Sequence, residues 1–252
     1  MSCKVIAIAN QKGGEGKTTT SLNLAHGLTL YKSRVLLIDM DPQGNTSGIF
    51  IDVDDLEISA SELFQQKAAI KDIIKDTKYK NLTILPSTIS MAEVEFSGLN
   101  VEAPYVLRDA IGEIKNDYDF IVIDCPPSLS IFTVNALVAS DYVVVPLQAE
   151  KFSIDGIKGL QNTIESIKRR INPDLRILGA LVTQLKSNTV LTKTILPVIQ
   201  NYFPVFKNSI SSGVAVGESH LSKQTLIDYN PEVKQAKEYS AFVKEVLDVI
   251  EK

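Results

Sequence analysis

Short apolar runs of strand length recur along the chain, separated by longer segments in which apolar residues follow helical spacing. Six such runs are almost continuously apolar: Val5–Ala9, Val35–Ile38, Leu82–Leu85, Phe120–Ile123, Tyr142–Val145 and Ile177–Val182. Strands buried on both faces of a parallel sheet have this pattern because helices cover both sides. Each run is therefore predicted to be a central strand of a mostly parallel sheet.

The intervening segments carry apolar residues with helical periodicity. They are Thr18–Tyr31, Tyr105–Lys115, Ser153–Ile171, Val190–Asn201 and Glu232–Ile250. Alternation of such strands and helices predicts an α/β fold, a doubly wound sheet with helices on both faces. Segment Asp52–Asn81 is charged and weakly patterned, and we expect it to be a helical excursion on the surface. No repeat or linker divides residues 1–252, which predicts a single domain.

Composition narrows the functional classes. The formal net charge of 252 residues is only −4 and the pI is about 5.3, so any polyanion site has to be a local patch. The two cysteines, Cys3 and Cys125, are far apart and lack metal-ligand spacing. No stretch approaches the ~20 apolar residues that span a bilayer. These features favour a reduced, cytoplasmic protein that is not in a membrane.

A glycine-rich segment follows the first predicted strand. It reads Asn10-Gln-Lys-Gly-Gly-Glu-Gly-Lys-Thr-Thr-Thr20 and leads into the first predicted helix. Its three glycines allow backbone N–H groups to converge on phosphate oxygens, and the helix N-terminus adds its positive dipole end. These glycines, all predicted to bind nucleotide, are Gly13, Gly14 and Gly16. Lys17 is expected to reach the terminal phosphates, Thr18 to ligate Mg²⁺ and Thr19 to support the α-phosphate. The sequence thus predicts a phosphate-binding loop of the P-loop NTPase type, with ATP and Mg²⁺ as ligands.

Acidic residues end two of the predicted strands. Leu37-Ile-Asp-Met-Asp-Pro-Gln-Gly-Asn45 places Asp39 and Asp41 at the carboxyl end of the second strand, where ligands of open α/β sheets bind. One of these two acids is expected to hold the water shell of the metal and the other to orient the attacking water. Asp124 ends a later buried strand and is expected to bind Mg²⁺ through water.

The loop departs from the ordinary phosphate-loop pattern, because Gln11 stands where a glycine is expected and Lys12 adds a second lysine. K-G-G-x-G-K-T-T resembles the deviant phosphate loop of the ParA/MinD group of ATPases. The resemblance implies that Lys12 reaches across an ATP-dependent homodimer to the phosphates of the partner subunit. There it would act in trans on the transferring phosphoryl group. The variable position is Glu15, whose carboxylate would repel ATP unless it points away, so we expect weaker binding or faster release.

The resemblance extends through nearly the whole chain and assigns further roles. In D-x-D-P-Q the second acid positions water, which makes Asp41 the expected catalytic acid. Cys125-Pro-Pro-Ser128 is similar to a switch that senses the γ-phosphate. Tyr229-Asn-Pro231 is similar to a loop beside the adenine ring, so Asn230 and Pro231 are candidate base contacts. D-P-Q-G-N, P-L-Q-x-E and Y-N-P together favour the ParA/Soj partitioning branch, and imply a ParB-like partner and nucleoid association in the ATP-bound state.

Those relatives bind DNA non-specifically through a surface that includes arginines. The matching segment here, Ile210-Ser-Ser-Gly-Val-Ala215, has none, and Asn188 also stands where relatives often have arginine. Four lysines could rebuild a positive strip for phosphate contacts: Lys186, Lys193, Lys207 and Lys223. Ordinary solvated lysines would show the same pattern.

Three other functions are open on the sequence. A MinD-like membrane-surface ATPase would need an amphipathic C-terminal helix with a basic face, whereas Phe242–Lys252 carries acids and fits a last packed helix. A small-molecule kinase or ligase would need substrate-binding polar residues in a lid, for which no pattern is present. A nucleotide sensor that does not hydrolyse ATP would follow if Glu15 disrupts the site.

Overall fold

The computed structural model describes residues 2–96, 103–148, 154–186 and 190–251. In these residues the predicted strands form one sheet together with a short strand that the apolar pattern did not indicate. Its strands are β1 (Lys4–Ile8), β2 (Val35–Asp39), β3 (Lys75–Asp76), β4 (Leu82–Leu85), β5 (Phe120–Asp124), β6 (Tyr142–Gln148) and β7 (Arg176–Thr183).

The strand order is β3-β4-β2-β5-β1-β6-β7, and every neighbouring pair is parallel except β3 with β4. β1 therefore lies between β5 and β6, and Ile8 pairs with Asp124. On the other side of β5, Asp39 pairs with Asp124. The carboxyl ends of β1, β2 and β5 consequently meet at one edge of the sheet.

The helices connect these strands. They are α1 (Lys17–Thr29), α2 (Ser47–Phe50), α3 (Ala60–Phe64), α4 (Ile70–Ile73), α5 (Met91–Phe96), α6 (Val106–Ile114), α7 (Ile131–Ala139), α8 (Ile154–Arg170), α9 (Val190–Gln200), α10 (Ala215–Leu221), α11 (Leu226–Tyr229) and α12 (Lys234–Ile250). All five predicted helices are present with ends shifted by a few residues. α7 was not predicted.

Alternate residues of each central strand enter two separate cores. Val5 and Ala7 face a core shared with α3–α9, whereas Ile6 and Ile8 face a core shared with α1 and α10–α12. Helices thus cover both faces of the sheet, which confirms the doubly wound α/β class. It also explains why the strands read as uninterrupted apolar runs.

The expectation of a surface excursion at Asp52–Asn81 is wrong in one respect. The segment contains α3, α4 and β3, and Leu63, Phe64, Ile70 and Ile73 are buried in the core. Ser59 begins α3 with a capping box, in which its side chain and that of Glu62 satisfy reciprocal backbone N–H groups. The segment therefore forms part of the packed layer, although many of its charged residues are exposed.

Candidate nucleotide site

The loop between β1 and α1 has the backbone conformation that its glycines allow. Gly14 and Gly16 have φ of +78° and +87°, in the left-handed region where a side chain is strained. Gly16 directly precedes the first turn of α1. Lys17 is buried and donates from Nζ to the carbonyl of Lys12 at 3.0 Å. Its ammonium is thereby held inside the curve of the loop, where an anion would sit.

Gly13 differs from the other two glycines of the loop. Its φ lies outside the left-handed region, and a Cβ added there would lie 3.9 Å from Pro127 Cβ, which is ordinary van der Waals contact. The backbone conformation at Gly13 therefore does not itself require glycine. Gly13 lies instead where the loop faces the Cys125-Pro-Pro-Ser128 segment, so a side chain there would narrow the space between the two.

Side chains at the ends of β6 and β7 fix the outer side of this loop. Gln148 and Gln184 donate from their amide groups to the carbonyl of Gly14, and Thr183 Oγ1 donates to the carbonyl of Glu15 at 2.8 Å. These hydrogen bonds occupy the carbonyl groups of Gly14 and Glu15. The loop is therefore held to the sheet through its backbone carbonyl groups.

Asp124 is the centre of a buried cluster of hydroxyl groups. Its Oδ2 accepts from Thr18 Oγ1 at 2.9 Å and Thr46 Oγ1 at 2.6 Å, and its Oδ1 accepts from Ser21 Oγ at 2.9 Å. Burial raises the pKa of Asp124, and these three hydrogen bonds oppose that shift. Burial also lowers the pKa of Lys17, and the charge of Asp124 opposes this second shift.

The donor set around Asp124 fits Mg²⁺. A carboxylate and the Thr18 hydroxyl are hard oxygen ligands, and Mg²⁺ is ordinarily held by one or two carboxylates together with water and phosphate oxygens. The described part of the chain contains no group of three or more His, Cys, Asp or Glu side chains that would cage a metal alone. Bound there, Mg²⁺ would neutralise charge on the phosphates.

Asp39 lies beside Asp124 but is turned toward β2's own connecting loop. Its Oδ2 accepts from the N–H and Oγ of Ser47 at 2.8 and 2.7 Å, and its Oδ1 accepts from Asp41 N at 3.0 Å. Burial and the neighbouring charge of Asp124 raise the pKa of Asp39 to about 7. Asp39 therefore organises the Asp41 loop in addition to lying near the metal ligands.

Asp41 follows the end of β2 and remains partly exposed. Its Oδ1 accepts from Gln43 N at 3.0 Å, which folds the loop into an Asx turn. The second carboxylate oxygen is not engaged by that bond. Asp41 is thus an accessible carboxylate at the edge of the sheet that carries the phosphate loop.

Lys12 and Glu15 are joined in the loop itself. Lys12 Nζ lies 3.1 Å from Glu15 Oε1, and the side chains are 41% and 3% exposed. Glu15 Oε2 accepts from the N–H of Gln148. The carboxylate that was expected to repel ATP is buried against β6 and ion-paired, while its backbone remains part of the loop.

The candidate base contacts do not line the cavity beside Gly16 and Thr19. Asn230 ends α11 and accepts through Oδ1 from Glu232 N, and both Asn230 and Pro231 are exposed. The cavity that directly adjoins Gly16 and Thr19 measures about 250 Å³ and is lined mainly by Ile210–Gly213, Val216 and Gly217. The segment Ile210–Ala215, which matches the arginine-containing segment of the relatives, therefore borders the phosphate loop.

Several contributors to this site were not identified from the sequence. Ser21 and Thr46 hold Asp124, Gln148 holds Gly14 and Glu15, and His220 Nε2 lies 3.4 Å from Thr19 Oγ1. Among these residues, Ser21 has the clearest sequence signal, because it lies three residues after Thr18 on the same helix face. Gln148 belongs to the P-L-Q-x-E stretch, which indicated the family but no role for this residue. Thr46 and His220 come from distant segments and have no local signal.

Of the three candidate DNA-contacting lysines whose side chains the structure describes, two lie near β7 and one lies beside the β3–β4 edge. Lys186 follows β7, and Lys207 lies in the segment that pairs with β7, where its N–H donates to Glu245. Lys223 instead accepts through its carbonyl from Lys78 Nζ, beside the β3–β4 edge. The side chain of Lys193, Asn188 and residues 149–153 of the P-L-Q-x-E stretch lie outside the described part of the chain.

This fold and this loop define a P-loop nucleoside triphosphatase, in which a strand, a glycine-rich turn and a helix form a phosphate cradle beside strand-end carboxylates. Comparison with known proteins agrees. A family model described as an AAA domain matches residues 3–177. Soj, the sporulation initiation inhibitor protein of Bacillus subtilis, is 41% identical over 96% of this chain and 98% of its own.

Two further relatives extend the comparison. The chromosome partitioning protein ParA of Myxococcus xanthus is 36% identical over 97% of this chain and 88% of its own. The crystal structure of cobyrinic acid a,c-diamide synthase from Mycobacterium smegmatis, with bound ADP and magnesium, is 31% identical with a TM-score of 0.88, covering 99% and 96% of the two chains. The chain belongs to the ParA/Soj family of P-loop ATPases. ATP and Mg²⁺ are accordingly its ligands, and ATP hydrolysis is its reaction.

Proposed function

We propose that residues 1–252 act as one ATPase domain that dimerises on ATP, binds DNA non-specifically and drives chromosome or plasmid partitioning with a ParB-like partner. The observation that carries the proposal is the position of the two loop lysines. Lys17 is buried within the cradle, whereas the Lys12 side chain is 41% exposed at its rim. An ammonium at the rim can reach a second molecule that docks on this edge if it leaves its ion pair with Glu15.

Within one protomer, the loop N–H groups from Gly13 to Gly16 would bind phosphate oxygens, and Lys17 would neutralise the terminal phosphates. Thr18 and Asp124 would hold Mg²⁺, with Asp39 beside them, and Thr19 would support the α-phosphate. Asn230 and Pro231 are proposed to contact the base. Both residues are exposed and therefore accessible to a ligand.

Hydrolysis requires a positioned water. Asp41 is proposed for this role because it is the accessible carboxylate of the pair at the end of β2, whereas Asp39 is fully occupied by Ser47 and the Asp41 backbone. A carboxylate within reach of water orients the attack and accepts its proton. Lys12 of a second copy would stabilise the charge on the transferring phosphoryl group, so turnover would depend on dimerisation.

The proposed cycle involves three partners: a second copy of the chain, DNA and a ParB-like protein. ATP would populate the dimer, the dimer would associate with the nucleoid in the cytoplasm, and the ParB-like partner would stimulate hydrolysis and release. Support for DNA binding comes from Lys186 and Lys207 at the β7 edge. With a net charge of −4, such a local patch has to supply the attraction.

The membrane-surface alternative finds little support in α12. Its apolar residues Tyr239, Phe242, Val243 and Val246 are buried, and the helix packs along α1. A helix that inserts in a lipid surface needs that face free. None of the helices that the structure describes is long and apolar enough to cross a bilayer.

The test is substitution of Lys12. Lys12→Ala should retain Mg-ATP binding by the monomer but lower steady-state turnover by roughly 10²-fold or more, the effect of removing a group that acts on the transferring phosphoryl. Exposed Lys71 on α4, on the opposite face of the sheet, provides the control Lys71→Ala. Light scattering with and without Mg-ATP measures dimerisation in parallel. Unchanged turnover in Lys12→Ala, or a wild type that stays monomeric with Mg-ATP, would refute the proposal.

A further inference from the structure

Glu15 is the feature of the phosphate loop that the ATPase reaction leaves unexplained. It is a carboxylate, 3% exposed, within a loop whose ligand is itself strongly negative. Burying such a group is costly unless its charge is compensated. The contacts of its two oxygens therefore indicate what the side chain does.

The two oxygens of Glu15 have different surroundings. Oε2 accepts from the N–H of Gln148, which ties the side chain to the end of β6. Oε1 is buried and receives no hydrogen bond of acceptable geometry within the described residues, and its compensation is the ammonium of Lys12 at 3.1 Å. Glu15 is thus anchored on one side and presents a negative charge to Lys12 on the other.

The backbone of Lys12 is also fixed in place. Its N–H donates to Asn10 Oδ1 at 3.2 Å and its carbonyl accepts from Lys17 Nζ. Only the side chain of Lys12 is therefore left to change direction. The Lys12 ammonium has three N–H donors but a single positive charge, and Glu15 already compensates that charge at 3.1 Å. Attraction to the phosphates of a second molecule therefore competes with the pair to Glu15.

We propose that Glu15 is a positioning residue that holds the Lys12 ammonium in its own protomer until a second ATP-loaded copy presents phosphates that displace it. The inference rests on the proposed action of Lys12 in trans. Each dimer would break two such pairs, one per protomer. The cost of one pair therefore enters the dimer dissociation constant squared.

The first experiment examines the pair directly and needs neither nucleotide nor dimer. Lysine acylation of the nucleotide-free protein, followed by mass spectrometry, gives the labelling rate of Lys12 relative to exposed lysines elsewhere. Glu15→Gln keeps an acceptor for Gln148 N–H but removes the charge. It should raise the relative Lys12 rate roughly two- to five-fold, the factor expected for loss of one partly exposed ion pair. An unchanged rate would overturn the proposal.

The second experiment measures dimerisation at saturating Mg-ATP. Glu15→Gln should lower the dimer dissociation constant by roughly four- to twenty-five-fold, the square of the single-pair factor. Monomer affinity for Mg-ATP is measured separately, since removing a carboxylate also favours phosphate binding. Glu113→Gln, at an exposed position of α6, makes the same change in net charge and should leave the dimer unchanged.

The double variant separates the two levels of the argument. If Glu15 acts through Lys12, Glu15→Gln should have no effect on dimerisation in a Lys12→Ala background. An equal effect in both backgrounds would overturn the inference while leaving the proposed role of Lys12 intact. If Lys12→Ala itself changes neither dimerisation nor turnover, the proposed function fails, and the competition for Lys12 fails with it, whatever the labelling shows.

Discussion

The chain has two histidines, of which His26 is buried within α1 and His220 is half-buried beside Thr19 of the same helix. His26 stacks on Tyr79 with ring centroids 4.1 Å apart, and its Nδ1 lies 2.6 Å from Thr225 Oγ1. Burial lowers the pKa of His26, with Lys78 adding to the shift and Asp228 opposing it. Burial alone lowers the pKa of His220. Both imidazoles are therefore neutral in the folded protein near neutral pH.

This neutrality predicts sensitivity to mild acid. A histidine whose folded pKa is depressed contributes stability above its unfolded pKa of about 6.5, and this contribution is lost as pH falls through the lower folded value. His26→Gln is expected to be less stable than wild type at pH 8, with the difference shrinking toward pH 5. Urea unfolding followed by circular dichroism at intervals from pH 8 to 5 measures that difference.

Comparison of variants is essential here, because Asp39 and Asp124 titrate with the opposite sign. Their pKa values are raised in the folded protein, so their contribution to stability grows as pH falls. Subtracting the wild-type free energy of unfolding from that of the variant at each pH removes the contribution of Asp39 and Asp124, which both proteins share. His220→Gln should show a separate loss of the same sign. A His26→Gln difference that stays constant from pH 8 to 5 would contradict the assignment.

At the scale of elements, α12 packs closely against α1 at Gly27. A Cβ placed there would lie 2.6 Å from Val243 Cγ2. An alanine normally favours a helix interior over glycine by ~1 kcal/mol, but the clash reverses the sign because packed cores tolerate extra methyl groups poorly. Gly27→Ala should lower the free energy of unfolding by about 1–3 kcal/mol.

Two further variants test that packing explanation. A Cβ added at Gly112 in α6 would have no atom within 4 Å, so Gly112→Ala should stabilise by about 0.5–1 kcal/mol through helix propensity alone. Val243→Ala costs stability by itself, yet it removes the clashing methyl group. The double variant Gly27→Ala with Val243→Ala should therefore be more stable than the sum of the single effects predicts, in a denaturant-based mutant cycle. Simple additivity would exclude the clash.

The elements also show which parts of the fold the sequence could predict. The buried parallel strands and the loop before α1 were recognisable because burial on both faces and glycine-lysine spacing are local signals. The helix α7 was not, since Phe132, Ala136, Leu137 and Val138 make it apolar around its circumference and no helical period stands out. β3 is two residues long and depends on pairing with β4.

In the nucleotide site, too, residues within short motifs could be predicted from the sequence, whereas partners far apart in the sequence could not. The residues of the loop and both strand-end acids lie within short motifs. By contrast, the bond of Thr46 to Asp124 spans 78 residues and that of Gln148 to Glu15 spans 133. Such partners are set by the strand order of the whole sheet. The sequence therefore indicated the loop residues and the strand-end acids, but not the distant groups that hold them in place.

The molecule as a whole carries a net charge of −4, so the proposed attraction to DNA depends on where its cations lie. Lys186 follows the end of β7, next to the bridge between Leu185 and Ser211, and Lys207 lies four residues before Ser211 in the same paired segment. Lys223 lies beside Lys78 near the β3–β4 edge, at the other end of the strand order. A duplex laid along the β7 edge of one protomer would contact the first two lysines and miss the third.

The salt dependence of DNA binding tests this arrangement. Each phosphate contact contributes about 0.9 to the slope of log affinity against log salt concentration. For the Mg-ATP form, Lys186→Ala and Lys207→Ala should each reduce the slope by about that amount, and Lys223→Ala should leave it unchanged. Fluorescence anisotropy with a labelled duplex between about 50 and 200 mM salt measures the slopes, as these counterion effects are large in that range. A reduced slope for Lys223→Ala with unchanged slopes for the other two would place the DNA on the opposite edge of the sheet. If all three variants keep the wild-type slope, none of these lysines contacts DNA. The attraction would then have to come from other cations of the ATP-bound dimer.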